Sequence, residues 1–244
     1  MLFNMEFIKG TILKRLLNIV NLLYVADVLL EDGSEIIAHA PSLGCCGLCE
    51  KDSIVYMILH EKPKLCTHVI HISEFNNTLI GIHPKSGEKI IKNLLQTNCF
   101  PSLEDIISFK QETKMLNSRF DFTGLDKDNN PFIIEVKSAP LAKNNKSYFP
   151  DGYRKKKGDV VSPRALKHVQ ELKEIKIAHP EYRTILCFII QRDDTSIFTI
   201  NDEDKIYKDA VIDAKNSGVE IIALQVKWKL DGTYIYTKKL TIIY

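Results

Sequence analysis

The chain has 244 residues, 45% of them hydrophobic, which is enough for one large core or two modest ones. Its 33 basic and 31 acidic side chains give a formal net charge of +2, a balance that excludes a wholly basic DNA-coating protein and an acidic disordered one. No run approaches the roughly 20 apolar residues of a membrane span, and six unevenly spaced cysteines argue for reduced thiols.

We therefore expect a protein without membrane association that is cytoplasmic, or nuclear if the host is eukaryotic. Residues 1–80 predict a small antiparallel β domain. Strand-like runs flank the turn Glu31–Ser34, and a third strand is predicted over Ser53–His60. A helix over Glu88–Gln96, capped by Ser86, then begins a second region that covers residues 81–244.

The second region predicts strands that alternate with helices. A polar loop is expected over Lys143–Gly158, a helix begins with Ser162 as cap and Pro163 at its first position, and a later helix over Asp204–Asn216 ends at Gly218. The predicted strands are Phe109–Thr113, Arg119–Leu125, Pro131–Ser138, Thr184–Gln191 and Val219–Val226. This order favours an α/β (α+β) architecture with a mixed sheet covered on its faces.

The second and third of these strands form a hairpin that carries two carboxylates. A turn centred on Asp128 places Asp121 opposite Glu135. Alternation along the strands predicts one face with Asp121, Glu135 and Lys137 and another with Phe120, Phe122, Ile134 and Val136. Two opposed carboxylates repel unless a cation neutralises them, and Mg²⁺ or Mn²⁺ would suit phosphodiester chemistry. The alternative is a solvated face of an edge hairpin.

Lys137 is predicted to orient an attacking water or to stabilise charge on the phosphorane. Arg119 and Glu112 add ionisable groups within plausible reach of the hairpin, with Glu112 in a supporting role.

A basic segment follows the hairpin. Lys143–Lys167 contains eight basic and two acidic residues, a local charge of +6, whereas residues 1–75 carry −3. Clustered basic side chains favour salt-dependent binding to a nucleic-acid backbone, and Tyr148, Phe149 and Tyr153 offer stacking surfaces. The alternative is a solvated loop. The predicted nucleic-acid-binding residues are Arg119, Arg154, Lys155, Lys156, Lys157, Arg164, Lys167 and His168.

On the helix after this segment, Arg164, His168 and Glu171 fall at i, i+4 and i+7 and form a predicted polar stripe with Lys167 beside it. For His168 the alternative is an ordinary surface histidine on a charged helix face.

Five short motifs stand in one order along the chain: His39-Ala40-Pro41-Ser42-Leu43-Gly44, Ser118-Arg119-Phe120-Asp121-Phe122, Glu135-Val136-Lys137-Ser138, Phe149-Pro150-Asp151 and Arg164-x-x-Lys167-His168-x-x-Glu171-Leu172. Together they resemble the sugar fermentation stimulation protein A (SfsA) family. The resemblance implies an N-terminal OB-like barrel, a restriction-endonuclease-like domain of the PD-(D/E)xK type, sequence-nonspecific DNA binding and a regulatory link to sugar metabolism. Asp151 and Glu171 are expected to support the site.

The chain departs from the family pattern at three places. Ser42-Leu43 replaces Asn-Thr, Ala165 replaces a helix glycine, and Asn93 stands where an acidic helix residue is expected. The last change is expected to weaken a second metal contact.

Three hypotheses remain open: a nonspecific DNA-binding regulator on a nuclease-like scaffold, an active Mg²⁺-dependent deoxyribonuclease, and a metabolite-binding or interaction module. The expected partners are DNA and a divalent metal, and the oligomeric state is left unpredicted.

Overall fold

A computed structural model describes residues 6–15, 24–41, 47–150, 152 and 158–244. The chain divides into two compact units. The first consists of residues 1–86, 191–194 and 226–237, and the second of residues 87–190, 195–225 and 238–244. The sequence placed a single boundary after residue 80 and did not anticipate that two later segments belong to the first unit.

The first unit contains a closed β-barrel. Its strands are β1 (Ile8–Arg15), β2 (Val25–Leu30), β3 (Glu35–His39), β4 (Ile54–Leu59), β5 (His68–Phe75) and β6 (Thr78–Gly81). They are hydrogen-bonded in the order β3-β2-β1-β4-β5-β6, and a parallel pairing of β3 with β5 at Ala38 and His68 closes the barrel. Ile12, Val28, Val55 and Ile70 are fully buried in it. The predicted OB-like barrel is confirmed.

Helix α1 (Pro84–Gln96) begins earlier than the sequence predicted. Proline suits the first position of a helix because that position needs no N–H donor. Ser86 is therefore not the cap: it lies buried in the first turn, and its N–H donates to the carbonyl of His83. The buried residues Ile90, Ile91, Leu94 and Leu95 give the helix its apolar face.

A second six-stranded sheet has the order β15-β14-β12-β9-β8-β7. Its strands are β7 (Ser108–Met115), β8 (Ser118–Leu125), β9 (Pro131–Ser138), β12 (Arg183–Ile190), β14 (Glu220–Trp228) and β15 (Tyr234–Lys239). β12 pairs parallel with β9 and with β14, whereas β7, β8 and β9 are antiparallel. This mixed sheet confirms the predicted architecture, and each predicted strand lies within two residues of the observed one.

Two helices cover one face of this sheet, and their predicted ends are confirmed. Helix α2 (Pro163–Ala178) begins after Ser162, whose side chain accepts from the N–H of Ala165. Helix α3 (Lys205–Asn216) ends just before Gly218, which has a φ of +97°. Their core cluster includes Phe120, Ile133, Leu172, Leu186, Phe188 and Val211. Within the described ranges, no helix is long and apolar enough to cross a membrane.

A third, four-stranded sheet corrects the predicted polar loop over Lys143–Gly158. Its strands, in spatial order, are β10 (Ala142–Lys143), β11 (Lys146–Phe149), β13 (Ile197–Ile200) and β16 (Thr241–Ile243). β11 pairs with β13, about fifty residues later in the chain, so the local sequence did not predict this strand. Phe149, predicted as a stacking surface, packs inward with its ring 5.5 Å from those of Phe188 and Tyr207.

Candidate functional site

The hairpin of β8 and β9 brings Asp121 to the neighbouring strand. Cross-strand pairs run from Leu125 and Pro131 to Phe122 and Ile134, and the same register would next join Asp121 to Glu135. The regular ladder ends before that pair, and the Oδ2 atom of Asp121 accepts a hydrogen bond of 2.7 Å from the N–H of Val136. A side-chain oxygen therefore binds the main chain of β9 beside Glu135.

The predicted side of the hairpin for the Phe120 side chain is wrong. It was expected with Phe122 and Ile134, but it belongs to the core cluster that contains Ile133 and helix α2. Strict alternation fails here because regular pairing with β9 ends at Phe122. The charged side of the hairpin is also covered: Glu135 is only 2% exposed, so a fully solvated hairpin face is ruled out.

The two oxygens of the Glu135 carboxylate have different surroundings. Oε1 accepts hydrogen bonds from Nζ of Lys137 and from Nδ1 of His168, and those two nitrogens lie 3.5 Å apart. Oε2 is buried and has no hydrogen-bond partner among the described residues. A buried acceptor without a donor is costly, so this oxygen calls for a partner such as a water or an ion.

The pKa values of Asp121 and Glu135 are shifted in opposite directions. Burial, followed by the charges of Glu135 and Glu88, raises the pKa of Asp121 to about 7, against the opposing effects of the Val136 N–H and Lys137. Burial also disfavours ionisation of Glu135. The hydrogen bond from His168 and the charge of Lys137 outweigh burial and hold the pKa of Glu135 below its usual value.

Glu88 is the residue that sequence reasoning missed. The sequence placed the expected acidic residue of helix α1 at position 93, where Asn93 stands, and predicted a weakened second metal contact. Glu88 lies five residues earlier on this helix, and its charge acts on Asp121. It is the only acidic residue of α1, a signal that the sequence did contain. The choice depends on which face of α1 turns toward the sheet, and spacing along the chain does not determine that.

The predicted polar stripe of α2 divides into buried and exposed residues. Arg164 and Lys167 are exposed, and Nζ of Lys167 donates to the carbonyl of Asn117 at 2.7 Å. His168 and Glu171 are buried, at 4% and 5% exposure, with the His168 ring 5.9 Å from that of Phe120. The expectation of His168 at the surface is wrong because this turn of the helix packs against β8.

Arg119 and Glu112 form an ion pair with each other. Their charged atoms lie 3.0 Å apart, and both side chains are more than half exposed on the hairpin of β7 and β8. The charge of Glu112 is therefore paired at the surface rather than in the buried centre.

The basic segment is only partly described. Asp151, Tyr153, Arg154, Lys155, Lys156 and Lys157 lie outside the described residues, as do Ser42 and Leu43 of the first family motif. Lys143, Lys146 and Tyr148 line a cavity of about 420 Å³ together with Thr199, Asn201, Asp202 and Glu203. The described part of the segment thus contributes two lysines and one aromatic ring to an open surface.

Comparison with known proteins gives a consistent result. The family model for the sugar fermentation stimulation protein RE domain matches residues 85–232. The chain is 30% identical to a sugar fermentation stimulation protein homolog of Alteromonas mediterranea over 236 residues, covering 91% of this chain and 92% of the relative. The chain belongs to the SfsA family. A homolog from Brucella ovis is 32% identical over 92% of this chain and 90% of its own length.

A solved relative supports the fold over the whole chain. The structure of Pyrococcus furiosus SfsA in complex with Ca²⁺ aligns with a TM-score of 0.81 over the full length of both chains, at 22% identity. This agreement confirms the predicted order of an OB-like barrel and a restriction-endonuclease-like sheet domain.

Proposed function

We propose that the protein binds DNA without base preference and holds a divalent cation at Asp121 and Glu135. The observation that carries this proposal is the buried Oε2 of Glu135, which no donor satisfies within the described ranges. Asp121 binds the N–H of Val136, the residue after Glu135, and its charge is disfavoured by burial and by Glu135. A cation between the two groups would satisfy the oxygen and remove the repulsion.

The donor set fits a hard cation that keeps part of its water shell. Mg²⁺ is commonly bound through one or two carboxylates, with water and phosphate oxygens as its other ligands. Among the described residues, no three or more Asp, Glu, His or Cys side chains are grouped so that they could hold a metal ion by themselves. The remaining ligands would therefore be water and DNA phosphate. The Ca²⁺ complex of the Pyrococcus relative supports an oxygen-ligated divalent cation, and Mg²⁺ or Mn²⁺ is our assignment.

The basic segment supplies the proposed contact with the DNA backbone. Lys143, Lys146, Arg164 and Lys167 are exposed in the structure, and the sequence adds four consecutive basic residues from position 154. Such side chains release counterions from DNA and recognise phosphates rather than bases. A regulatory role in sugar metabolism belongs to the same proposal, supported by membership of the family.

Fluorescence anisotropy with single- and double-stranded oligonucleotides in EDTA tests the binding. We expect affinity to fall steeply with salt and to vary little with base sequence. Changing Arg154, Lys155, Lys156 and Lys157 to Gln should reduce the salt slope on duplex DNA by about 0.9 for each phosphate that the protein no longer neutralises. The matched control changes Lys9, Lys51, Lys62 and Lys64 to Gln.

Equal reductions of the salt slope in the two quadruple variants would contradict the assignment of residues 154–157 to the DNA-binding surface. An absence of DNA binding at low salt would favour the metabolite-binding or interaction module.

A second candidate function is Mg²⁺-dependent cleavage of DNA. The observation that favours it is the ammonium group of Lys137, held against Glu135 inside the proposed centre. A divalent cation supplies Lewis-acid polarisation and an activated water in such sites. Lys137 would stabilise negative charge on the transferring phosphate. Lys137→Ala should abolish cleavage in Mg²⁺ or Mn²⁺ and keep DNA binding in EDTA. A wild-type protein that binds but never cleaves would exclude this function.

A further inference from the structure

His168 fixes one end of the Glu135 carboxylate. Its Nδ1 atom contacts Oε1, and a ring nitrogen that approaches a carboxylate oxygen carries the proton. The terminal torsion of a glutamate is broad, so a carboxylate rotates unless donors hold one of its oxygens. The hydrogen bond from His168 therefore decides where the second oxygen, Oε2, points.

Helix packing makes His168 a rigid donor. The helix neighbours Ala165, Val169 and Leu172 are buried in the core, and the histidine ring lies against Phe120. Lys137 also contacts Oε1, but its ammonium group sits on a flexible four-carbon stem. Of the two donors, His168 is the one whose position the fold determines.

We infer that His168 is a positioning residue, which holds Oε1 of Glu135 so that Oε2 is presented to the bound cation. This inference rests on the proposed function. It replaces the expectation that His168 touches DNA, because a residue that is 4% exposed offers little surface to a phosphate backbone. Partners that orient metal ligands in this way commonly change metal affinity by about 10- to 100-fold when they are removed.

Three substitutions separate orientation from packing. Asn places its amide nitrogen the same number of bonds from Cβ as Nδ1 of histidine, Gln places its amide nitrogen one bond further, and Ala removes the donor. We expect His168→Ala and His168→Gln to weaken Mn²⁺ binding about 10- to 100-fold in isothermal titration calorimetry. His168→Asn should stay close to the wild type. All three should keep wild-type DNA affinity and salt slope in EDTA.

His179→Asn is the matched control, because His179 lies exposed just beyond the same helix. If the Ala variant does not fold, as judged by circular dichroism, the contrast between Asn and Gln decides. Unchanged Mn²⁺ affinity in His168→Gln, or equal losses in Asn and Gln, would overturn the inference. So would a loss of DNA affinity in EDTA without a loss of Mn²⁺ affinity. A wild-type protein that binds no Mn²⁺ would instead overturn the proposed metal centre, and the inference with it.

Discussion

Asp126 and Glu135 lie on the same hairpin, and both are buried, but their surroundings are opposite. Asp126, at the turn, accepts hydrogen bonds from the N–H groups of Asp128 and Asn130 at 3.0 and 2.9 Å, and from the Asn130 side chain. Glu135, where the ladder between the strands ends, has one oxygen held by two donors and the other by none within the described residues.

The pKa of Asp121, which lies on the strand next to Glu135 and accepts one N–H donor, differs from that of Asp126. At the turn, desolvation disfavours the charge of Asp126, but the N–H and side-chain donors of Asn130 outweigh it and lower its pKa. At the open end of the hairpin, where the ladder between β8 and β9 stops, burial and neighbouring carboxylates raise the pKa of Asp121 to about 7. Burial is common to both ends of the hairpin. Both oxygens of Asp126 accept hydrogen bonds, whereas Oε2 of Glu135 has no donor within the described residues, and this oxygen distinguishes a carboxylate that fits a cation from a structural one.

The largest expected effect comes from Asp121. In the metal-free folded protein this carboxyl keeps its proton up to about pH 7, whereas it ionises near pH 4 in the unfolded chain. The stability that it contributes is therefore complete below about pH 4 and is lost as pH rises through about 7. At roughly 1.4 kcal/mol for each pKa unit, the loss is about 4 kcal/mol at most. Urea unfolding in EDTA across this pH window measures it.

Asp121→Asn should flatten that part of the pH profile, because the amide does not titrate. Asp126→Asn should leave it in place. A wild-type stability that rises across the same window, relative to Asp121→Asn, would show that the open end of the hairpin is not strained by charge.

A smaller effect is expected at the turn. Asp126→Ala removes the acceptor for two main-chain N–H groups and should destabilise the protein by about 1.5–3 kcal/mol, the range for hydrogen bonds to a charged group. Asp128→Ala is the control, since this exposed neighbour should change stability by less than about 0.5 kcal/mol. Equal urea midpoints for the two variants would remove the contrast between the ends of the hairpin.

The smallest effect is expected at Glu88. Glu88→Gln removes a like charge and should lower the pKa of Asp121, which carboxyl ¹³C NMR can follow through its titration. Asn93→Asp tests the position at which the sequence suggested an acidic residue, and it should not strengthen the response to Mg²⁺. If Asn93→Asp strengthens the response to Mg²⁺ and Glu88→Gln leaves the pKa of Asp121 unchanged, position 93 rather than Glu88 is where α1 acts on the site.

The sequence predicted features whose causes are local. The hairpin of β8 and β9 follows from alternating side chains around a polar turn, and the start of α2 follows from Ser162 and Pro163. The hairpin register and the alternation of side chains predicted that Asp121, Glu135 and Lys137 belong to one site. The hydrogen bond between Lys137 and Glu135, and the effect of both charges on the pKa of Asp121, are consistent with that grouping.

Features that depend on distant parts of the chain were missed. Strand β11 forms only because β13 lies beside it, and its four residues carry no distinct pattern. The burial of His168 depends on how α2 packs against β8, and the effect of the Glu88 charge on Asp121 depends on the orientation of α1. Spacing along a helix gives relative faces, but it does not say which face turns inward.

The central claim is that Asp121 and Glu135 hold a divalent cation, and a Mg²⁺ titration followed by thermal unfolding tests it most directly. A ligand at about 100 times its dissociation constant stabilises the folded state by about 2.7 kcal/mol, which corresponds to roughly 5–10 °C for a chain of this size. We predict such a rise in melting temperature for the wild type and none for Asp121→Asn or Glu135→Gln. No rise in the wild type, or the same rise in Asp121→Asn, would contradict the claim.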